Sequence, residues 1–338
     1  MGTVDNILKY IKRSKGCSGA DLARHLKISR QAVNKHLKQL VSIGKISKAG
    51  NTRAAIYSFK KSKKAFQQFK KAVQLKEIQE DKVYQDISLL LNLRKVLAAN
   101  VFEIVNYAFT ELLNNAIDHS KSNRGKIEMA FDSYNCSFWI RDFGIGVFHS
   151  IYQKFGLTDE IEAVQELLKG KTTTMKEKHS GEGIFFCSKS GDLMRLRSHN
   201  IELRFDNQNR DIFVEEKKRI QGTAVLFSIS RKSKRKLDAV FKKYASKEFD
   251  YQFMRTQVLV RLYKKDFLSR SEAKRLLHGL DKFKEIVLDF KKVKSLGQGF
   301  ADEVFRIFVK EHPNISIKTQ NVRPLVQSMI NHVVDNIF

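Results

Sequence analysis

Proline is nearly absent, two residues in 338, which argues against long extended linkers and predicts globular domains joined by helices. No run of 18 apolar residues occurs. The densest stretch, Ile87 to Leu93, is broken by Ser88 and Asn92 and is far too short to span a bilayer, so no membrane partner is expected. An apolar signal core is missing from the N-terminus, and the expected location is therefore cytoplasmic. Three cysteines, Cys17, Cys136 and Cys187, stand without CxxC or Cys/His metal spacing, so neither a disulfide framework nor a zinc site is indicated. His25 and His36 likewise have no ligand partners at metal spacing and read as helix-surface residues. A P-loop is also missing, because Gly170-Lys171-Thr172 lacks the upstream glycine at Walker spacing.

Acidic residues are scarce: 36 Asp and Glu face 63 Lys and Arg, a net charge of +27. Such a field attracts polyanions and makes nucleic acid the first partner to consider. The excess is uneven. Residues 1 to 71 carry 18 Lys and Arg against only Asp5 and Asp21, a net +16. At about 100 to 200 residues per domain, a chain of this length holds two or three domains.

Ile7, Leu8 and Ile11 recur at helical spacing, and a second short amphipathic segment runs from Ala20 to Leu26. Ser29 is placed to cap a third helix whose buried stripe is Ala32, Val33, Leu37, Leu40 and Val41. Lys45-Ile46-Ser47 and Ala55 to Phe59 then alternate as a hairpin, so the order over residues 1–60 is helix, helix, turn, helix, hairpin. In a helix-turn-helix the second helix enters the major groove, and Arg30, Gln31, Asn34, Lys35 and Lys38 supply residue types that read base edges on one face. Arg53, at the hairpin tip, is the wing candidate. The string Ser29 to Leu40 resembles the winged-helix domains of bacterial transcriptional regulators, which implies double-stranded DNA as a partner.

Lys60 to Lys76 places Phe66, Phe69, Val73 and Leu75 at roughly helical intervals, so a basic linker helix is expected over 61–80. From Tyr84 to Ala116 the apolar period is helical, and Lys126 to Phe131 and Ser137 to Ile140 alternate as strands, marking a mixed α/β domain over 81–232. After the basic run Arg231 to Lys236, three strand-then-helix repeats fill 245–338: strands Val258–Tyr263, Ile286–Phe290 and Ile315–Lys318 alternate with helices Ser269–Leu280, Phe300–Glu311 and Val322–Ile337. The fold class is thus multidomain α/β (α+β), with a small sheet covered by helices at the C-terminus.

Within the middle domain, Glu111 and Asn115 lie four residues apart on one helix face. Asn115 could ligate Mg²⁺, and Glu111 could orient or deprotonate a nucleophile. Arg141 to Val147, Lys169 to Thr174, His179 to Ile184 and Gly222 to Phe227 follow in order. With the Glu111–Asn115 helix, the series resembles the N box, G1 box, lid, G2 box and final strand of the GHKL-type (Bergerat) ATP-binding domains of gyrase, Hsp90, histidine kinases and MutL. The resemblance implies ATP and Mg²⁺ as cofactors. Asp142 would hydrogen-bond the adenine amino group, Gly144 and Gly146 would let backbone approach the base, and Thr223 would complete the adenine end. Gly181 and Gly183 would free N–H groups for the phosphates, with Lys171, Thr172, Ser180 and Glu182 contributed by the lid and G2 segments. Where many relatives continue with Leu-Gly after the second G2 glycine, this chain has Ile184-Phe185, so the phosphate grip differs in detail.

Leu288 to Ala301 resembles the strand-to-helix turn of STAS domains, in particular the STAS-like (DUF4325-type) domains found behind such ATP-binding domains. That likeness implies a protein partner. Gln298 and Gly299 stand where the anti-sigma-factor antagonists carry a phosphorylatable serine, which puts regulation at this turn in doubt, and Ser295 reads as a strand-end residue. The leading expectation is an ATP-responsive, DNA-binding transcriptional regulator. An anti-sigma-factor-like serine protein kinase is the alternative, and a gyrase-like or MutL-like DNA-associated ATPase, although no nuclease motif accompanies it, is a further one. A homodimer is left open, as is slow Mg-dependent hydrolysis.

Overall fold

The computed structural model describes residues 3–14, 16–42, 46–50, 55–59, 67–172, 181–263 and 268–335. They divide into two compact units, Met1–Phe66 and Gln67–Phe338.

In the first unit, α1 (Thr3–Ser14) leads into a two-residue strand β1 (Cys17–Ser18), α2 (Gly19–Leu26), α3 (Arg30–Ser42) and the strands β2 (Ile46–Ala49) and β3 (Ile56–Phe59). The antiparallel sheet has the order β1-β3-β2. Local chemistry sets the helix ends. Ser18 caps α2, accepting from the Asp21 amide at 3.2 Å, while Asp21 accepts from the Ser18 amide at 3.1 Å, a reciprocal capping box. Lys27 ends α2 in the left-handed region, and the Ser29 hydroxyl accepts from the Ala32 amide to start α3. Ile7, Ile11, Leu22, Val33, Leu37, Leu40 and Ile46 form the core that these elements enclose.

The second unit is built on a seven-stranded, fully antiparallel sheet: β4 (Gln67–Gln74), β5 (Arg124–Phe131), β6 (Asn135–Asp142), β7 (Leu193–Ser198), β8 (Ile201–Asp206), β9 (Asp211–Glu216) and β10 (Thr223–Ser230). Its order is β4-β5-β6-β10-β7-β8-β9. The linker helix expected over 61–80 is corrected here. Residues 67–74 are the edge strand β4, paired with β5 from Gln67↔Phe131 to Gln74↔Arg124, and the next helix begins at Glu80; residues 61–66 lie outside the described residues. Phe69 and Val73 are four apart, a spacing that falls on one side of a strand as well as of a helix, and the free edge of β5 supplies hydrogen-bond partners that an isolated helix would not use.

One sheet face carries Ile127, Met129, Phe138, Ile140, Leu196, Leu203, Val225 and Phe227 into the core. Against it lie α4 (Glu80–Leu90), the short α5 (Leu93–Val96) and the long α6 (Ala99–His119), whose buried stripe runs from Val101 to Ala116 at intervals of three and four. The helices α7 (Val147–Phe155), α8 (Glu160–Lys169), α9 (Gly183–Ser190) and α10 (Leu237–Tyr244) complete this layer. Strands are wet on the other face, as an antiparallel sheet permits, with Trp139, Arg195 and Arg204 on adjacent registers.

Downstream, β11 (Arg255–Leu259), β12 (Glu285–Asp289) and β13 (Ser316–Gln320) form a parallel sheet in chain order. Every residue of the central strand β12 is buried, as expected of a parallel strand covered on both sides. Its cover is α11 (Arg270–Leu277), α12 (Gln298–Ala301), a π-helical turn Asp302–Ile307 that runs into α13 (Phe308–Glu311), and α14 (Pro324–Asp335). The first strand lies three residues earlier than its apolar run suggests, because Val260 to Leu262 turn as a 3-10 segment.

This small sheet is not a separate body. Phe185 and Phe186 of α9 and Tyr244 of α10 belong to its hydrophobic core together with Phe253. Beside them Lys169, the last residue of α8, is completely buried. Its Nζ donates to Glu166 Oε1 at 2.5 Å and to the carbonyls of Arg275 and His278, at the end of α11, at 3.1 and 2.7 Å. Truncating Lys169 strips a buried carboxylate of its cation, with only His278 Nδ1 left at 3.3 Å, and orphans two carbonyls, a loss of about 3–5 kcal/mol. Urea unfolding of Lys169→Ala is therefore expected to show a much lower midpoint than wild type; a midpoint within experimental error of wild type would show that the tie carries no stability.

Candidate functional site

In the first unit, α3 separates its faces cleanly. Val33, Leu37 and Leu40 are buried, while Arg30, Gln31, Asn34, Lys35 and Lys38 are all exposed. Asn34 also lies against Gly19 at the start of α2, where a Cβ would stand 3.2 Å from Asn34 Oδ1. The wing candidate Arg53 lies outside the described residues. His36, read as a surface residue, is half-buried with its Nδ1 shielded, and His25 is exposed beside the Tyr10 ring at 4.4 Å between centroids.

In the second unit, a cavity of about 260 Å³ opens between the core face of the sheet and the helices α6, α7 and α9. One end is apolar, walled by Ile140, Val147, Ile151, Leu196 and Val225, with Asp142 and Thr223 among its lining. Asp142 is the last residue of β6 and is 4% exposed. Its Oδ1 accepts from the Gly144 amide at 2.9 Å and the Thr223 amide at 3.2 Å, and Thr223 Oγ1 accepts from the Val147 amide at 3.0 Å. One carboxylate thus fixes the turn after β6 to the start of β10. Burial, opposed by these amide donors, holds the Asp142 carboxyl above the usual carboxylate range.

The other end is polar: Glu111, Asn115, Thr172, Gly181, Glu182 and Gly183 line it. Asn115 Nδ2 donates to the Glu111 carbonyl at 2.7 Å, which leaves the amide oxygen as the atom suited to a cation. The Glu111 carboxylate stands against the first residue of α9, since a Cβ on Gly183 would come within 2.1 Å of its Oε2. Gly181 has φ +75 and its Cα faces the Thr172 backbone so closely that a Cβ would lie 2.6 Å away. Glu182 stands at the N-cap position of α9 without a side-chain capping bond; burial pushes its carboxyl up, Lys171 nearby draws it down, and Glu111 adds to the rise.

The structure therefore gathers Glu111, Asn115, Asp142, Thr172, Gly181, Glu182, Gly183 and Thr223 around one space, and Ser180 lies outside the described residues. Three expected residues are placed differently. Gly144 and Gly146 do not line the cavity: a Cβ on Gly144 would fall 1.8 Å from the Ser120 carbonyl oxygen, and one on Gly146, at φ +84, 2.5 Å from Ser198 Oγ. At both positions a side chain would collide with packed neighbours. Lys171 turns toward the small parallel sheet, donating to the Lys282 carbonyl at 3.2 Å and lying over the Phe283 ring at 5.1 Å. Sequence reasoning missed His119, which continues the Glu111–Asn115 face of α6 by one more turn, and the apolar walls; the i, i+4, i+8 spacing was the available signal for the histidine.

Residues 6–47 match the winged helix-turn-helix DNA-binding family, and residues 272–327 match the STAS-like domain of unknown function DUF4325. Neither match reaches residues 81–232, and no curated protein matches the chain. The first unit is thus a winged helix-turn-helix of the DNA-binding class, and the chain ends in a STAS-like domain. Among the described residues no helix is long and apolar enough to cross a membrane.

Two measurements probe these sites. In DNA titrations, Arg30→Ala is expected to cost about 1–3 kcal/mol and relax sequence preference if Arg30 reads a base, whereas Lys38→Ala, if a phosphate contact, lowers the salt slope by about 1 at all sequences. In urea unfolding without nucleotide, the raised Asp142 carboxyl contributes stability that is present at low pH and lost as pH rises through and above the ordinary carboxylate range. Asp142→Asn removes that decline, so the stability of the variant relative to wild type should rise with pH; parallel pH profiles would contradict the assignment.

Proposed function

We propose that this chain is an ATP-binding, DNA-binding transcriptional regulator in which nucleotide bound with Mg²⁺ in the second unit modulates DNA or partner binding. One observation chiefly supports this reading: residues from four separated segments, Glu111 and Asn115, Asp142, Gly181 to Gly183, and Thr223, line one cavity that runs from apolar to polar. An adenine has an apolar ring and an amino donor, and the buried Asp142 oxygen in the apolar end is a matching acceptor. At the polar end, Asn115 would hold Mg²⁺ through its amide oxygen, and the Gly183 end of α9 would offer backbone N–H groups to phosphates. Glu111 would orient a water or hydroxyl group.

Coupling to the STAS-like domain is supported by α9. Its first turn lines the cavity, while Phe185 and Phe186 pack on Phe253 with centroids 4.6 and 5.1 Å apart. The departure Ile184-Phe185 from the GHKL pattern is thereby given a packing role. Lys171, which donates to the Lys282 carbonyl and sits over the Phe283 ring, adds a second link. Nucleotide contact with this segment would bear directly on the aromatic cluster.

Fluorescence anisotropy on the chain's own promoter DNA, with and without Mg-ATP, tests the proposal. A shift of about fivefold or more, equivalent to ~1 kcal/mol of coupling, is expected in wild type and not in Asp142→Asn. Direct titration with a fluorescent ATP analogue separates the two halves of the reading. Failure to bind removes the nucleotide site, while binding without any shift removes the coupling to DNA and moves the search to a protein partner.

A further inference from the structure

We propose that His149, Glu160 and His199 form a binding site for a divalent transition metal ion of the Zn²⁺ type, separate from the Mg-nucleotide site. Among the described residues, this is the one group of three His, Cys, Asp or Glu side chains whose ligand atoms all lie within 4.8 Å of one another. The three residues come from different elements: His149 from the first turn of α7, Glu160 from the first residue of α8, and His199 from the turn between β7 and β8. His149 Nδ1 and His199 Nδ1 stand 3.2 and 2.8 Å from the same oxygen, Glu160 Oε1. Ligand bonds of about 2.0–2.1 Å in a tetrahedron put neighbouring ligand atoms about 3.3 Å apart, so the His149 spacing matches what such an ion requires and the His199 nitrogen has to give by about half an ångström.

The surroundings fit an ion that keeps an open position. His149 and His199 line a hollow together with Gly144, Ile145, Arg219, Ile220 and Gln221, which gives room for water or an anion as further ligands. Arg219 opposes a bare cation there and suits an anionic fourth ligand. His199 is held in the left-handed region, φ 49, which few residues with a Cβ occupy and in which His is enriched. Its Nε2 faces Gly146, where a Cβ would approach to 3.0 Å, and this leaves Nδ1 as the ligating nitrogen. Two imidazoles and one carboxylate are a borderline-soft nitrogen and oxygen set, which favours Zn²⁺, Co²⁺ or Ni²⁺ over Mg²⁺. An ion here would pin the starts of α7 and α8 to the β7–β8 turn.

The test uses the full chain after chelator treatment, with Zn²⁺ followed by calorimetry and Co²⁺ by its visible ligand-field absorption. One ion per chain is expected to bind saturably, with a Zn²⁺-dependent rise in melting temperature. His149→Asn and Glu160→Gln should each weaken binding at least tenfold and abolish the rise, because outer-shell changes alone cost metal sites 10–100-fold. His199→Asn, which tolerates the left-handed backbone, should do the same, and circular dichroism establishes that each variant is folded. Absence of saturable binding by the folded wild-type chain overturns the proposal and leaves the three groups as a hydrogen-bonded clasp. Binding that is unchanged in the three variants overturns it equally, by placing the ion elsewhere.

Discussion

A single buried ammonium group joins the two sheets of the second unit. Lys169 ends α8 with no exposed side-chain surface, and its three donors are met by one carboxylate and by two carbonyls that would otherwise be orphaned at the end of α11. A helix end leaves carbonyls without intrahelical partners, and burying such an end is tolerated only when something donates to them. Lys169 is that donor. Burial disfavours its charge, and the adjacent Glu166 opposes that shift, so the cation and the carboxylate are mutually dependent. Thr256 Oγ1 donates to the Lys169 carbonyl at 2.6 Å, tying the same residue to β11 through its backbone as well. On the far side, Arg261 pairs with Asp211 of β9, so polar clasps flank the aromatic cluster between the sheets.

Close backbone approach is the second constraint. The turn after β6 can lie against the end of α6 only because Gly144 has no side chain, and Gly222, at φ +72, sits where a Cβ would be 2.4 Å from the Asp142 carbonyl oxygen. These contacts bring Asp142 under the start of β10, where a protein of net charge +27 keeps one acid almost wholly out of water. The cavity is thus shaped by glycines that do not touch it.

Much of this was legible in the chain. The winged helix could be read element by element, since capping residues, apolar stripe and hairpin alternation agree, and the same holds for α6 and for β5 and β6. The edge strand β4 was not legible, because Phe69 and Val73 satisfy both periods and only pairing with β5 decides between them. At the site, Glu111, Asn115, Asp142, Thr172, Gly181, Glu182, Gly183 and Thr223 were named through the resemblance that the order of their motifs carries, while His119 and the apolar walls were not. The true positions of Lys169 and Lys171 were hidden because they depend on carbonyls more than 100 residues away, at Arg275, His278 and Lys282. Sequence spacing carries no trace of such contacts. The His149–Glu160–His199 group was equally invisible, its members being 11 and 39 residues apart.

The aromatic pair on α9 has a consequence for how such a chain can be assembled or altered. Phe185 and Phe186 are 3% and 1% exposed, covered by Phe253 and the C-terminal core together with Phe241 and Tyr244 of α10, and the same eight-residue helix begins at the cavity. The C-terminal domain is therefore not an interchangeable attachment: removing or exchanging it would expose two large rings beside the cavity and take from Lys169 its two carbonyl acceptors, leaving Glu166 as its partner. Changes on either side of this joint must be matched on the other.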